Sequence, residues 1–305
     1  MTGPPPDRSG RERAGYLLIL AAAALWGSLG VAGRMAFRAG VTPLEAAFFR
    51  AALAFAALLI LVLPTGRQAL RIQRSDLSLF ALYGLVSIAV FFFVYLFAIS
   101  RASVATAAIL LYTAPAFVII ISALAFRESI TGIKAVAVAL AFAGCVLVVR
   151  GYDPQSLRLN LPGVLAGLAS GLTYALYSIF GKTALRRYRP ATTLVYALGF
   201  GTVFLGAIAL ATGAIRWTHS AVAWSTILYL ALVTTLLAQW LYLTGLGRVE
   251  AGRASLVATL EPVVAALLGY LILHERLEGL QILGGVLVLM AVLTVRRMPG
   301  ANIAG

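Results

Sequence analysis

The sequence is poor in the residues that do chemistry. Its 305 residues hold one cysteine, Cys145, and two histidines, His219 and His274. A single thiol excludes a disulfide framework. A metal centre needs three or four convergent ligands, and these residues stand far apart, so no metal and no cofactor is expected. Asp and Glu together number only 10. A membrane-surface transferase or phosphatase would need clustered His, Asp or Glu for its acid–base work, and this composition offers no such cluster. No Walker A, GxGxxG, HExxH or GxSxG pattern occurs, so there is neither a phosphate-cradling loop nor a nucleophile elbow. The expectation is a protein that is not an enzyme.

Charge is scarce too. DEKR residues make up 11% and hydrophobic types 62%, with a mean hydropathy of +0.98. Soluble domains run at about 45–50% apolar and about 25% charged. Disorder is excluded, since it requires low hydrophobicity, and a water-facing exterior would carry large sticky patches. What charge there is leans basic, with 24 Lys and Arg against 10 acids, a net +14. These cations punctuate apolar runs instead of forming a basic stripe, so they meet lipid headgroups and not nucleic acid.

The apolar runs are what the chain has in quantity. Ten of them approach the roughly 20 residues needed to cross about 30 Å of hydrocarbon: 16–36, 44–63, 77–99, 103–126, 131–149, 161–181, 191–212, 221–243, 251–273 and 279–295. The expected fold is an all-α polytopic membrane protein of ten transmembrane helices. Residues 1–13 read as a Pro-rich polar tail, 298–305 as a second tail, and the run 16–36 as an uncleaved first helix rather than a signal peptide. With the N-terminus inside, sixteen Lys and Arg fall on the inner side and seven outside, with Arg50 within a helix. By this bias both termini are read as cytoplasmic.

The chain also repeats itself. At an offset of 147, Tyr95 meets Tyr242, Arg101 meets Arg248, Pro115 meets Pro262, Glu128 meets Glu275 and Gly132 meets Gly279; at 148, Gly15 meets Gly163 and Gly33 meets Gly181. The halves are 14–150 and 151–297, each with five runs. An odd number of crossings makes the second copy start on the opposite face, so the repeats are inverted, as in many secondary transporters.

Three stretches, AAAALWGSLGVAGRMAF, RASVATAAILLYTAPAFVIIISALAFRESIT and RASLVATLEPVVAALLGYLILHERLEGLQILGGVLVLMAVL, give the chain a resemblance to the drug/metabolite transporter superfamily, in its ten-helix branch with two EamA domains. The resemblance implies a basket of helices around a central cavity, with the fifth and tenth peripheral. It also implies export of amino acids, other small metabolites or hydrophilic drugs. Glu261-Pro262 is the most specific motif; in the first half Ala114 stands in the place of Glu261, which argues against symmetric paired carboxylates.

The candidate site follows from polar groups inside the spans. Glu261 lies well within the ninth run, where a charge is costly unless it faces a cavity or a partner, and it is a candidate to hold an ammonium or exchange a proton. Pro262 deletes a backbone donor and kinks the helix; Pro115 is its counterpart. Arg50 stays charged and either attracts a substrate carboxylate or snorkels to the headgroups. Glu45 is read as helix-end solvation. Trp26, Tyr83, Tyr95, Tyr112, Tyr174, Tyr177, Gln239, Trp240 and Tyr242 complete an aromatic and polar set for the cavity, because buried hydroxyl, indole and amide groups seek partners. Gly163, Gly167 and Gly171, and Gly27, Gly30 and Gly33, are small-residue stripes for close helix packing or gating. The expected partners are a small-molecule substrate, protons and membrane lipid, with the oligomeric state undecidable. A lipid flippase and an inert scaffold are the rival readings.

Overall fold

The computed structural model describes residues 8–65, 70–101, 104–155, 161–273 and 277–295. They form helices joined by turns and loops, and no strand occurs among them. Eight helices are long and apolar enough to cross a membrane: α1 (Gly10–Arg38), α2 (Pro43–Val62), α3 (Arg74–Ile99), α4 (Ala107–Phe126), α6 (Leu161–Ala184), α7 (Pro190–Ala211), α8 (Ala221–Leu246) and α9 (Ala251–Leu268). Two shorter apolar helices, α5 (Gly132–Val148) and α10 (Gly279–Val295), stand beside them. Helical order already begins at Arg8, inside the stretch read as a tail. There Glu12 accepts from the Tyr16 hydroxyl one turn on, at 2.9 Å, and from Arg253 at 3.0 Å, which ties the first turn to α9. The segment 298–305 lies outside the described residues.

The ends are set by local chemistry. Thr42 and Glu45 form a reciprocal capping box ahead of α2, with Pro43 at its first position, where its missing N–H costs nothing. Thr131 and Ser220 cap α5 and α8. Arg127 ends α4 in the left-handed region at φ 57°.

The bundle is not uniformly α-helical. α3 runs as π-helix over Gly84–Val90 and α8 over Leu230–Leu237. At the 147-residue offset these stretches fall on one another, Gly84 against Ala231 and Val90 against Leu237. Helices α4 and α9 break at matching places too, with new helical segments starting at Ala114 and at Glu261. π-Turns are rare and concentrate at functional sites. Nothing in LALVTTLL or GLVSIAV signals one, since the apolar pattern suits either helix.

Close packing uses some of the expected glycines and not others. A Cβ on Gly167 would come within 2.8 Å of Leu110 Cβ, and one on Gly171 within 2.8 Å of the Leu110 carbonyl, so α6 lies directly on α4. Gly163 is buried in the same helix. A Cβ on Gly27 would meet Val264 at 2.8 Å, whereas one on Gly30 or Gly33 would touch nothing. The stripe expected in α1 is therefore lost beyond Gly27, because the helix breaks at Ser28. α5 and α10 meet face to face, and a Cβ on Gly144 or on Gly284 would lie 2.7 Å from the other's carbonyl oxygen.

Candidate functional site

The breaks and π-turns converge on one buried cavity. It is lined by Trp26 and Leu29 of α1, Arg50 of α2, Phe91, Phe92 and Tyr95 of α3, Leu111 of α4, Tyr174 and Tyr177 of α6, Gln239 of α8 and Glu261 of α9. Glu261 is the first residue of the segment after the α9 break, where unpaired N–H groups and the helix dipole favour a carboxylate. Pro262 follows at a position that needs no donor. Gly27 lets α1 lie against this turn, as its Cβ would stand 3.0 Å from the Glu261 carbonyl. Trp26 is thereby held next to Glu261.

Arg50 does not snorkel. It is 3% exposed, its Nε donates to Thr235 Oγ1 at 2.9 Å, and its guanidinium lies 4.0 Å over the Phe92 ring. Such stacking favours a desolvated guanidinium. Among the described residues no salt bridge joins Arg50 to Glu261, although each feels the other's charge, and no protein hydrogen bond reaches the Glu261 carboxyl group. The Tyr174 hydroxyl and Gln239 Oε1 are likewise buried without a hydrogen-bond partner. Buried polar groups are ordinarily satisfied, and at this cavity two of them are not.

There is little room for it in this conformation. The cavity holds about 30 Å³, and a single water requires about 10–15 Å³. An organic solute requires the lining helices to move apart.

Beneath the cavity the structure is sealed towards the end where α1 begins, the proximal end. Trp26 packs on Tyr242 and Tyr174, with ring centroids 5.2 and 5.9 Å away. Tyr177 bridges Tyr242 and Tyr83 at 5.9 and 5.3 Å, and Ser178 is hydrogen-bonded to the Tyr242 hydroxyl at 2.7 Å. The Trp26 indole donates to the Thr234 carbonyl at 3.0 Å. Lys182 then donates to the carbonyls of Leu246 (2.8 Å) and Val249 (2.5 Å). Outermost is an ionic cluster joining the two halves. Lys134 lies 3.2 Å from Glu250 and 3.9 Å from Glu128, and Arg253 lies 3.0 Å from both Glu250 and Glu12. Glu128 also accepts from the Ala251 N–H at 3.0 Å and the Ser122 hydroxyl at 3.1 Å. Its repeat partner Glu275, like His274, lies outside the described residues.

At the distal end Glu45 is fully buried, so the solvated role expected for it is wrong. Its carboxylate accepts from Arg216 Nε at 3.1 Å and Nη2 at 3.0 Å, and lies 3.3 Å from His219 Nε2. Arg216 also donates to the Gly40 carbonyl. The guanidinium thus stays firmly protonated, its pKa raised by the hydrogen bond and charge of Glu45. Arg150 and Tyr152 both reach Glu278 at 2.5 Å, linking α5 to α10. Among the described residues no group of three potential metal ligands occurs.

Of the residues singled out in the sequence, the cavity unites Trp26, Arg50, Tyr95, Tyr174, Tyr177, Gln239 and Glu261. Tyr83 and Tyr242 form its floor. Tyr112 packs with Cys145 and Val288 between α4, α5 and α10, and Trp240 packs on the core, so neither lines the cavity. Pro115 is buried at the α4 break. Thr235, Phe91 and Phe92 were missed. The two phenylalanines sit inside an unbroken apolar run, and Thr235 is indistinguishable there from a threonine that merely back-bonds to its own helix.

The profile of the EamA-like transporter family matches residues 13–150 and again 161–297. The chain belongs to this family. It is 30% identical over 285 residues to an uncharacterized transporter of Archaeoglobus fulgidus, covering 93% of this chain and 97% of the relative. It is 28% identical over 294 residues to an uncharacterized inner membrane transporter of Salmonella typhimurium, covering 94% and 96%. A probable amino-acid metabolite efflux pump of Escherichia coli is 32% identical over 182 residues, covering 57% and 60%. A crystal structure superposes with a TM-score of 0.80 at 18% identity, covering 93% of this chain and 98% of the other, which establishes the shared fold. This EamA-family chain is a multi-pass membrane transporter and not an enzyme.

Proposed function

We propose that this EamA-family transporter is a secondary active exporter of small zwitterionic metabolites, amino acids foremost, working by alternating access in a bacterial inner membrane. One observation carries the proposal: a guanidinium, Arg50, and a carboxyl group, Glu261, line the same buried cavity within reach of each other's charge but with no salt bridge between them among the described residues. A solute with its own carboxylate and ammonium matches both, the carboxylate on Arg50 and the ammonium on Glu261, while Tyr174 and Gln239 offer unmet hydrogen bonds. The partial relative named as an amino-acid metabolite efflux pump agrees with this chemistry.

The coincidence of π-segments and helix breaks at one sequence offset supports two inverted five-helix units, ten crossings in all, around the cavity. The lysine and arginine bias supports a cytoplasmic proximal end carrying both termini. In the sealed state the floor tyrosines and the ionic cluster close that end. Transport requires the cluster to part and the cavity to widen, and a substrate drives this only through its differential affinity for the two states. Glu261, alternately exposed to either side, is the group through which a proton gradient couples.

The test is flux in proteoliposomes with a panel of radiolabelled amino acids, with and without a pH gradient. Saturable flux that the gradient accelerates is expected; no saturable flux for any member of the panel would sink the amino-acid reading.

A further inference from the structure

The geometry points to Thr235 as the positioning residue that aims Arg50, and so to the π-helical stretch of α8 as the element that selects carboxylate-bearing substrates. This rests on the reading of Arg50 as the partner of the substrate carboxylate. The Thr235 hydroxyl donates its one proton to the Leu230 carbonyl at 2.8 Å, a partner five residues back that the wider π-turn brings within reach. A hydroxyl that has spent its proton can only accept. It accepts from Arg50 Nε at 2.9 Å, so this site suits a donor and cannot be turned round.

The consequence for Arg50 is a fixed orientation. A guanidinium presents five N–H donors in a rigid fork. Its Nε edge is spent on Thr235 and its plane rests on Phe92 at 4.0 Å. The Nη donors make no hydrogen bond to the protein among the described residues and lie beside the cavity, within the electrostatic reach of Tyr95 and Glu261. A fork so held meets a carboxylate side-on with two parallel hydrogen bonds. The neighbouring Thr234 hydroxyl also donates to the Leu230 carbonyl, at 2.9 Å, and the Thr234 carbonyl accepts from the Trp26 indole at 3.0 Å. One π-stretch therefore anchors two cavity residues from two other helices. The first-repeat stretch does no such thing. At the offset of 147 Ile88 stands where Thr235 stands, and it packs against Gly201 of α7. The recognition device is one-sided, as is the carboxylate, for Ala114 answers to Glu261.

The test compares the panel amino acid of highest saturable flux with its carboxamide, which keeps the ammonium and loses the carboxylate. Wild-type protein is expected to prefer the acid. Thr235→Val removes the acceptor and keeps the shape, and should raise KM for the acid roughly tenfold, the effect of one charged hydrogen bond. KM for the amide and the maximal rate should hold. Thr235→Ser should restore the acid preference. Thr235→Ala gives the same reading if the valine variant fails to fold, folding being followed by thermal melting in detergent. Wild-type acid-over-amide preference in folded Thr235→Val or Thr235→Ala, alongside its loss in Arg50→Gln, overturns the positioning role alone. Equal rises in KM for acid and amide overturn it as well. Retained preference in Arg50→Gln refutes the reading of Arg50 itself, and the proposal falls with it.

Discussion

Replacing Lys134 by Met should open the proximal end. The Lys134 side chain is 3% exposed and holds Glu250 at 3.2 Å and Glu128 at 3.9 Å, while donating to the Ser129 carbonyl at 2.8 Å. Orphaning a buried charge typically costs about 3–5 kcal/mol. Here neither acid is orphaned, because Glu250 keeps Arg253 at 3.0 Å and Glu128 keeps the Ala251 N–H at 3.0 Å. The cost to the sealed state is then about 2 kcal/mol. In the open state these groups meet water and the loss is close to nil. The sealed-to-open ratio should fall about 30-fold. The assay is labelling of a cysteine at the cavity floor, Ser178→Cys in a Cys145→Ala background, by an impermeant maleimide applied to the proximal face of oriented vesicles. Its rate should rise by that factor in Lys134→Met. An unchanged rate in a variant that melts like its parent would refute the assignment of this cluster as a gate.

Other perturbations have defined outcomes. Glu261→Gln should abolish the response of flux to a pH gradient while leaving gradient-free exchange measurable; an undiminished response excludes this residue as the proton carrier. Gly84→Ala puts a Cβ 2.7 Å from the Gly201 backbone nitrogen, and overpacking of about 1–3 kcal/mol should lower the melting temperature in detergent, which a neutral melt would contradict. Arg216→Ala strips the fully buried Glu45 of its guanidinium partner and should destabilise by about 1–3 kcal/mol. The double variant with Glu45→Gln should recover most of this in a denaturant cycle, and additive losses would show that the pair is not coupled.

The parts legible in the sequence are those in which one residue type can satisfy only one environment. An ionisable group in an apolar run has to find a cavity or a partner, and so the placement of Glu261 and Arg50 at the cavity was legible. Long apolar stretches have to be helices, eight of them long enough to be spans, and the helix ends came within a few residues except at the start of α1, where Glu12 extends order outward through Tyr16 and Arg253. What stayed hidden depends on a partner elsewhere in the chain. Glu45 looked like an interfacial acid because Arg216, which buries it, is 171 residues away. Gly30 and Gly33 carried the right spacing, but a break at Ser28 turned them from their neighbour. Tyr112 and Trp240 have the same local pattern as Tyr174 and Gln239, and only the rotation of their helices separates packing from lining. The π-stretches leave no residue signature, for they differ from α-helix only in which carbonyl each N–H reaches.

The short outer helix α5 has a bearing on where the protein can work. Its 17 residues span about 26 Å at 1.5 Å each, less than the roughly 30 Å of an average hydrocarbon core. Capped by Thr131 at one end and closed by a turn at Arg150 on the other, it has no spare residues to unwind. Under the ten-crossing proposal α5 would be shorter than the hydrocarbon around it, and the lipid beside the α5–α10 flank would thin to match it. Thicker bilayers of long or sterol-ordered chains would then resist that dimple, and the cost would fall on the side of the molecule where Gly144 and Gly284 pack α5 against α10.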